Sequence, residues 1–191
     1  MRLGINGLIP ALVVLAVCFS ACGSKVKYGD PTAVETLTVD FGSTDLQMIA
    51  EKMVQSLLSS PVIQEGHRPV FQVTSVKNMT NEHVDTKAIT DKIRTTLLNS
   101  GKVQFTAVEL RQEVLEELEY QRDSGYVDQE TRKAVGRQVG ADFLLSGDIT
   151  SISKEQGGTQ DIYFKITLNL IDVETGLIAW ADEKEIRKRK D

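Results

Sequence analysis

Cysteine and histidine are scarce in this sequence. Its 191 residues include two of each, which is too few for an array of zinc sites or for a disulfide-stapled scaffold. Basic residues are also in the minority, because 22 lysines and arginines face 27 acidic residues and leave a net charge of −5. That balance is unfavourable for general binding of nucleic acid, so we expect no nucleic-acid partner.

The motifs of common catalytic and cofactor sites are also missing. The sequence contains no GxSxG elbow and no GxGxxG loop. His67 and His83 lie in separate polar stretches without a cysteine or a second histidine nearby, and we expect both to be solvated loop residues. No nucleophile, base and orienting group can be assigned. We therefore predict a protein that is not an enzyme, with no cofactor, no metal and no small-molecule substrate.

One long apolar run is present, at residues 8–19. It is shorter than the about 20 residues of a membrane-spanning helix and has the length of a signal-peptide core. Ser20, Ala21 and Cys22 follow it, as in a bacterial lipoprotein signal. Cleavage of residues 1–21 would leave Cys22 with a diacylglycerol on its thiol and a fatty acyl chain, such as palmitate, on its amino group. The alternative is an ordinary secretory signal with Cys22 as a stray thiol.

The remaining chain divides into a short tether and one domain. Residues 22–32 comprise Cys22 and a polar stretch with glycine and proline, which is typical of a linker. Residues 33–191 have the length and the ordinary composition of a single globular domain. Gly23 follows the cysteine where many lipoproteins of the inner membrane have aspartate. By analogy with that class, we expect an anchor in the outer membrane that faces the periplasm.

Hydrophobic periodicity predicts an α/β domain, with one mixed parallel and antiparallel sheet covered by about four helices. The expected order is β-α-β-α-β-α-α-β-β-β. Strands are predicted at residues 33–40, 70–76, 103–108, 141–149, 161–172 and 177–186. Helices are predicted at residues 44–58, from 85 or 86 to about 100, at 109–120 and at 128–139.

Several local features are specific enough to test. Thr44 and Gln47 have the spacing of a capping box for the first helix. Alternation along residues 161–172 predicts a buried face formed by Phe164, Ile166 and Leu168. Turn positions with positive φ are expected at two glycines, Gly42 and Gly176. The basic residues 187–190 alternate with acidic neighbours, and we interpret them as a solvated, frayed strand end rather than a lipid-binding tail.

A set of short motifs resembles the LpoB family of lipoproteins, which activate penicillin-binding proteins. The resemblance extends over about residues 34–186, and some of its motifs are shared with the wider set of TolB amino-terminal and CsgG-like periplasmic domains. The motifs are Asp40-Phe41-Gly42, Asp45-Leu46-Gln47, Asn78-Met79-Thr80, Gly140-Ala141-Asp142 with Gly147, and Glu174-Thr175-Gly176 with Ile178 and Trp180.

This resemblance implies a non-catalytic outer-membrane lipoprotein that binds a bifunctional peptidoglycan synthase and regulates peptidoglycan synthesis. The resemblance also implies a long, proline-rich tether that spans the periplasm, and the tether here is shorter. Its nine residues from Gly23 to Pro31 extend only about 30 Å, and the domain adds roughly 40 Å of reach. An alternative is an accessory lipoprotein of a CsgG-like secretion or envelope-assembly complex. The turn after residue 172 is too short for the membrane-crossing hairpins of a pore.

Overall fold

A computed structural model describes residues 26–64 and 66–191 of the chain. The predicted signal peptide and Cys22 lie outside the described residues. Residues Pro31–Asp191 form one compact unit. Residues 26–30 belong to a separate unit and are irregular and exposed. Among the described helices, none combines the length and the hydropathy that a membrane span requires.

The compact unit is built on a five-stranded mixed sheet, which confirms the predicted fold class. The strands are β1 (Val70–Met79), β2 (Gln104–Phe105), β3 (Phe143–Gln156), β4 (Thr159–Asp172) and β5 (Ile178–Lys190). The helices are α1 (Ser43–Leu58), α2 (Thr86–Asn99) and α3 (Arg111–Asp123). The order across the sheet is β2-β1-β3-β4-β5, in which β1 is parallel to β2 and β3, and β4 is antiparallel to β3 and β5.

The hydrophobic core lies between one face of the sheet and the helices α1 and α2. We call this face of the sheet the covered face. Phe164, Ile166 and Leu168 of β4 are at most 1% exposed, so the predicted buried face is confirmed. Trp180 of β5 is buried against α1 and donates a hydrogen bond from Nε1 to Ser56 Oγ at 3.2 Å. Burial of this apolar surface is the main stabilising contribution to the fold.

The handedness of the crossovers separates α3 from the other helices. The chain moves outward from β1 to β2 through α2, and then back across β1 to β3 through α3. Right-handed crossovers in opposite directions place their helices on opposite faces of a sheet. In agreement, Arg111 at the start of α3 donates a hydrogen bond at 3.1 Å to Gln72, which alternates with the buried Phe71 and so lies on the other face.

The predicted first strand is wrong. Residues 33–40 form no strand, and Val34 and Leu37 are 74% and 84% exposed, whereas Val39 is buried. The segment bonds locally to the first turn of α1, where the amide of Glu35 donates to Thr44 Oγ1 at 2.7 Å. A short apolar segment forms a strand only where a sheet edge can pair with it, and here the neighbour is a helix end.

The predicted fourth helix is also wrong. Residues 128–139 contain turns and irregular structure, and the expected apolar positions Val135 and Val139 are 59% and 69% exposed. Gly136 interrupts the segment with φ = 83°. Short helices are stabilised mainly by packing of their apolar side, and no element of the described chain buries these residues.

The start of α1 uses a different cap from the one predicted. Its N-cap is Gly42, with φ = −136° and not a positive value, and Asp45 accepts the Gly42 amide at 2.8 Å. Thr44 and Gln47 bond to the preceding segment rather than to each other. A Cβ at Gly42 would come closest to the Glu35 carboxylate, the movable end of a flexible side chain, so a larger residue there requires that carboxylate to shift.

The basic end of the chain is ordered strand rather than a frayed end. β5 continues to Lys190 and pairs with β4 along its whole length. Lys188 faces the covered side and forms an ion pair at 2.8 Å with Asp45, whose side chain is 4% exposed. Its ammonium also donates to the carbonyl of Asp40 at 2.6 Å. The carboxyl-terminal strand therefore fixes the start of α1.

Candidate interaction surface

We call the face of the sheet opposite α1 and α2 the open face, because α3 returns on this side without burying any of its own residues. Alternation and register place its residues in cross-strand rows. The rows are Leu144–Ile171–Ile178, Ser146–Asn169–Ala181, Asp148–Thr167–Glu183, Thr150–Lys165–Glu185 and Ile152–Tyr163–Arg187. The open face is thus aliphatic in the row at one end, neutral in the next row and charged in the three rows toward the other end.

The charged end is organised by diagonal pairs between β4 and β5. Arg187 Nε donates to Asp161 at 2.9 Å, Tyr163 donates to Glu185 at 2.6 Å, and Lys165 lies 3.6 Å from Glu183. The hydrogen bond from Arg187 lowers the pKa of the Asp161 carboxyl. The hydrogen bond to Glu185 raises the pKa of Tyr163 to about 12. Arg187 and Lys165 thus each pair with an acidic side chain, whereas Glu185 bonds to the neutral phenol of Tyr163, and this end carries charges of both signs.

The aliphatic end is exposed. Leu144 of β3, Ile171 of β4 and Ile178 of β5 lie side by side, and Ile178 is 62% exposed. Val173 and Leu177, in the turn between β4 and β5, extend the same end and are 51% and 68% exposed. Contiguous exposed aliphatic side chains are a common feature of protein–protein contact sites.

A cleft opens beside this aliphatic end, between the sheet margin and the crossover that carries α3. Its volume is about 530 Å³, and its apolar lining includes Val70, Phe105, Val114 and Val139. Thr106 also lines it, and its hydroxyl is buried without a hydrogen-bond partner among the described residues. The lining of the cleft is otherwise mainly apolar.

Helix α3 itself has an uncovered apolar side. None of its residues is buried, although the predicted stripe is present. Its members Val114 and Leu115, and Leu110 just before the helix, are 43–54% exposed. Three glutamates of the helix, at positions 113, 116 and 117, form no ion pair within the described chain. The helix therefore presents aliphatic and acidic groups to solvent.

The motif residues singled out in the sequence have structural roles. Asn78 accepts the Thr80 amide at 2.9 Å and donates to the carbonyl of Glu82, as expected for loop-stabilising side chains. The Glu82 carboxylate in turn accepts the amide of Phe41 at 2.8 Å. Asp142 accepts the amide of Val70 at 2.8 Å and so aligns the starts of β1 and β3.

Turn and loop predictions are met at other positions. Gly176 has φ = 72°, as predicted. Asp172 closes that turn by accepting the amide of Thr175 at 2.7 Å, and this hydrogen bond lowers the pKa of the Asp172 carboxyl. His67 and His83 are exposed in separate loops. Over residues 26–64 and 66–191, no group of three or more His, Cys, Asp or Glu side chains is placed to hold a metal ion.

Sequence reasoning did not locate the open face or the exposed side of α3. Periodicity predicted the aliphatic stripe of α3, but a stripe alone does not reveal whether another element covers it. The available signal was the crowding of four glutamates on this helix, at positions 113, 116, 117 and 119, which indicates a solvated helix rather than a buried one. Cys22, the predicted site of lipidation, lies outside the described residues.

Comparison with known proteins points to one family. The family model of the peptidoglycan-synthase activator LpoB matches residues 45–186, well over half of the chain. A comparison with curated protein sequences gives no match.

Solved structures of the same family are similar to this chain. The LpoB C-terminal domain from Salmonella enterica is 20% identical, with a TM-score of 0.45, and the match covers 74% of this chain and 98% of that domain. The domain from Escherichia coli gives the same identity and coverage with a TM-score of 0.44. The NMR structure of E. coli LpoB is 18% identical, with a TM-score of 0.43, over 100% of this chain and 90% of that one. On the family match, the chain belongs to the family of the peptidoglycan-synthase activator LpoB.

Proposed function

We propose that this protein is a non-catalytic lipoprotein of the outer membrane that stimulates a bifunctional penicillin-binding protein by direct contact in the periplasm. The observation that carries the proposal is the match of a synthase-activator family over residues 45–186. The partly bare sheet face and α3 support it, because an activator that acts by contact needs an accessible surface. Catalysis would be carried out by the synthase alone.

The activating unit in this proposal is the compact domain. Every buried residue of the hydrophobic core lies between Val39 and Ile186, so residues 32–191 should fold without the tether. This fragment should stimulate glycan polymerisation and cross-linking by a purified cognate synthase in solution. The same fragment unfolded by heat is the control. If the folded fragment neither binds the synthase nor changes polymerisation, the activator proposal fails and the envelope-assembly alternative becomes the better account.

The anchor in this proposal is the lipid on Cys22. Mass spectrometry of the mature protein should find an amino-terminal Cys22 that carries diacylglycerol and a third acyl chain. An exported Cys22→Ala form should be water-soluble and keep the fold, because the described part of the tether, residues 26–32, is exposed. An unmodified mature protein that begins at another residue would contradict the anchor.

Reach should limit activity in cells if the synthase is held in the inner membrane. Deletion of residues 25–30 should abolish activation, because it removes most of a tether that extends only about 30 Å. Insertion of roughly 30 flexible residues after Gly23 should leave activity unchanged or raise it, since added coil costs little closure entropy. Activity that survives the deletion would show that the synthase is contacted without this reach.

A further inference from the structure

Helix α3 lacks the packing that normally stabilises a short helix. It has 13 residues and none of them is buried, whereas isolated helices of this length are marginal in water. The residues around it provide only polar contacts at its two ends. Arg111 donates to Gln72 at the start, and near the other end Gln121 and the carbonyl of Arg122 accept from the segment at residues 132–133. Between these ends, Val114 lines the cleft. The aliphatic side of α3 is therefore a surface that gains stability when another molecule packs on it.

The stripe has the spacing of a docking helix. Leu110, Val114 and Leu118 recur every fourth residue, and Leu115 widens the stripe by one position. Residues with this spacing lie on one side of a helix, which is how amphipathic helices bind into apolar grooves. Leu115 is 44% exposed and Val114 is 43% exposed, so both are accessible to a partner.

The charge next to the stripe defines the chemistry of that partner. Glu117 follows Val114 by three residues and Glu119 follows Leu115 by four, so acidic groups border the stripe on both sides. Glu117 has no ion pair among the described residues, and its carboxylate only accepts from the Gln121 side chain at 2.8 Å. A groove that fits this helix has an apolar floor and a rim of lysine or arginine.

We propose that α3 is the docking helix for the synthase and inserts its aliphatic stripe into an apolar groove with a basic rim on that enzyme. This inference rests on the proposed function and specifies which surface makes the contact. The open sheet face then adjoins the contact at its aliphatic end, because Gln72, which Arg111 contacts, pairs with Leu144. A second copy of the chain is a poorer occupant, because it would bring its own acidic helix to the contact.

Two exposed apolar side chains provide a matched test of the stripe. Leu115 of α3 and Met48 of α1 are 44% and 40% exposed on their helices. The full-length lipoprotein in detergent is titrated against a purified bifunctional synthase, and affinity is measured for each variant. Leu115→Ser should weaken binding about tenfold or more, as expected for an anchor residue in an interface. Met48→Ser should change affinity by less than about twofold, typical of a position outside the contact.

Two glutamates provide a matched test of the rim. Glu117 of α3 and Glu51 of α1 are both exposed, and each accepts a hydrogen bond from the glutamine four residues later, at 2.8 and 3.3 Å. Glu117→Lys should slow association and reduce its dependence on salt, because a rim charge mainly affects the encounter rate. Glu51→Lys should leave the association rate unchanged. This pair keeps the aliphatic stripe intact and is independent of any effect of Leu115→Ser on the helix.

The outcomes separate this inference from the proposed function. If the wild-type protein binds the synthase and Leu115→Ser binds equally well, the docking role of α3 is wrong while activation stands. If Leu115→Ser instead converts a self-associated lipoprotein into a monomer in sedimentation experiments, the occupant is a second copy and the inference is overturned. If the wild-type protein does not bind the synthase, the proposed function and this inference both fail.

Discussion

The two faces of the sheet differ in what their side chains contact. On the covered face, Phe164 and Leu168 are buried under α1 and α2. On the open face, Tyr163 and Lys165 of the same strand are only partly buried and pair with β5. Because alternate residues of a strand point to opposite faces, one stretch of sequence encodes both the stability of the domain and its outer surface. Adjacent substitutions should therefore have very different effects.

The largest difference is expected between Leu168 and Lys165. Leu168→Ala should lower the free energy of unfolding by about 2–5 kcal/mol, because it removes a fully buried side chain and leaves a cavity. Lys165→Ala should change it by no more than about 0.5 kcal/mol, since its contact with Glu183 is long and exposed. Chemical denaturation of both variants measures this. Equal losses would show that the assignment of the two faces is wrong.

A second contrast is between two adjacent cations of β5. Lys188 lies on the covered side, where Lys188→Ala would leave the Asp45 carboxylate, 4% exposed, without its counter-ion. We expect a loss of about 2–3 kcal/mol in the free energy of unfolding, because a buried charge loses its partner.

Arg187 is the matched control on the open side. Its side chain is 69% exposed and it pairs with Asp161, so Arg187→Ala should cost less than about 1 kcal/mol. Thermal and denaturant unfolding at neutral pH compare the two variants. A cost at Arg187 that equals the cost at Lys188 would mean that the Asp45 pair is not buried in solution.

These contrasts also show how far sequence could predict the fold. Strict alternation along β4 was sufficient to assign its buried face, because the pattern is local. A weaker apolar pattern failed at residues 33–40, where Val34 and Leu37 lie three positions apart rather than alternating and both remain exposed. A strand also needs a neighbouring strand to pair with, and the sheet offers none to this segment. The ion pair of Asp45 with Lys188 joins positions 143 residues apart and has no local signal at all.

The candidate site was less predictable than the fold. The stripe of α3 is visible in the sequence, yet similar stripes in α1 and α2 bury residues such as Ile49 and Ile93. Only the order of the strands determines that α3 returns across β1 to the opposite face. The topology of the sheet thus determines whether an amphipathic helix belongs to the core or to an interface, and hydrophobic periodicity does not reveal the topology.

A third contrast uses two glycines. Gly147 lies in β3, and a Cβ there would overlap the carbonyl oxygen of Thr167 and the side chain of Leu168. Gly147→Ala should therefore lower the free energy of unfolding by about 1–2 kcal/mol through overpacking. Gly140, in the crossover before β3, has open space around it, and Gly140→Ala should be neutral or slightly stabilising. A neutral Gly147→Ala variant would show that β3 and β4 separate easily.

The smallest effect concerns Tyr163 on the open face. Its hydrogen bond to Glu185 favours the protonated phenol and raises the pKa of Tyr163 from 10.0 to about 12. The contribution of this bond to stability is complete below the ordinary pKa of about 10 and is lost as pH rises through about 12. Glu185→Gln should lower the pKa of Tyr163 toward 10.0, which a pH titration of the labelled tyrosine ring by NMR would detect. Glu183→Gln is the control, because Glu183 acts only through space and has the weaker influence. An unchanged titration in Glu185→Gln would show that the open face does not hold this pair in solution, and would leave its charged end free to rearrange on binding.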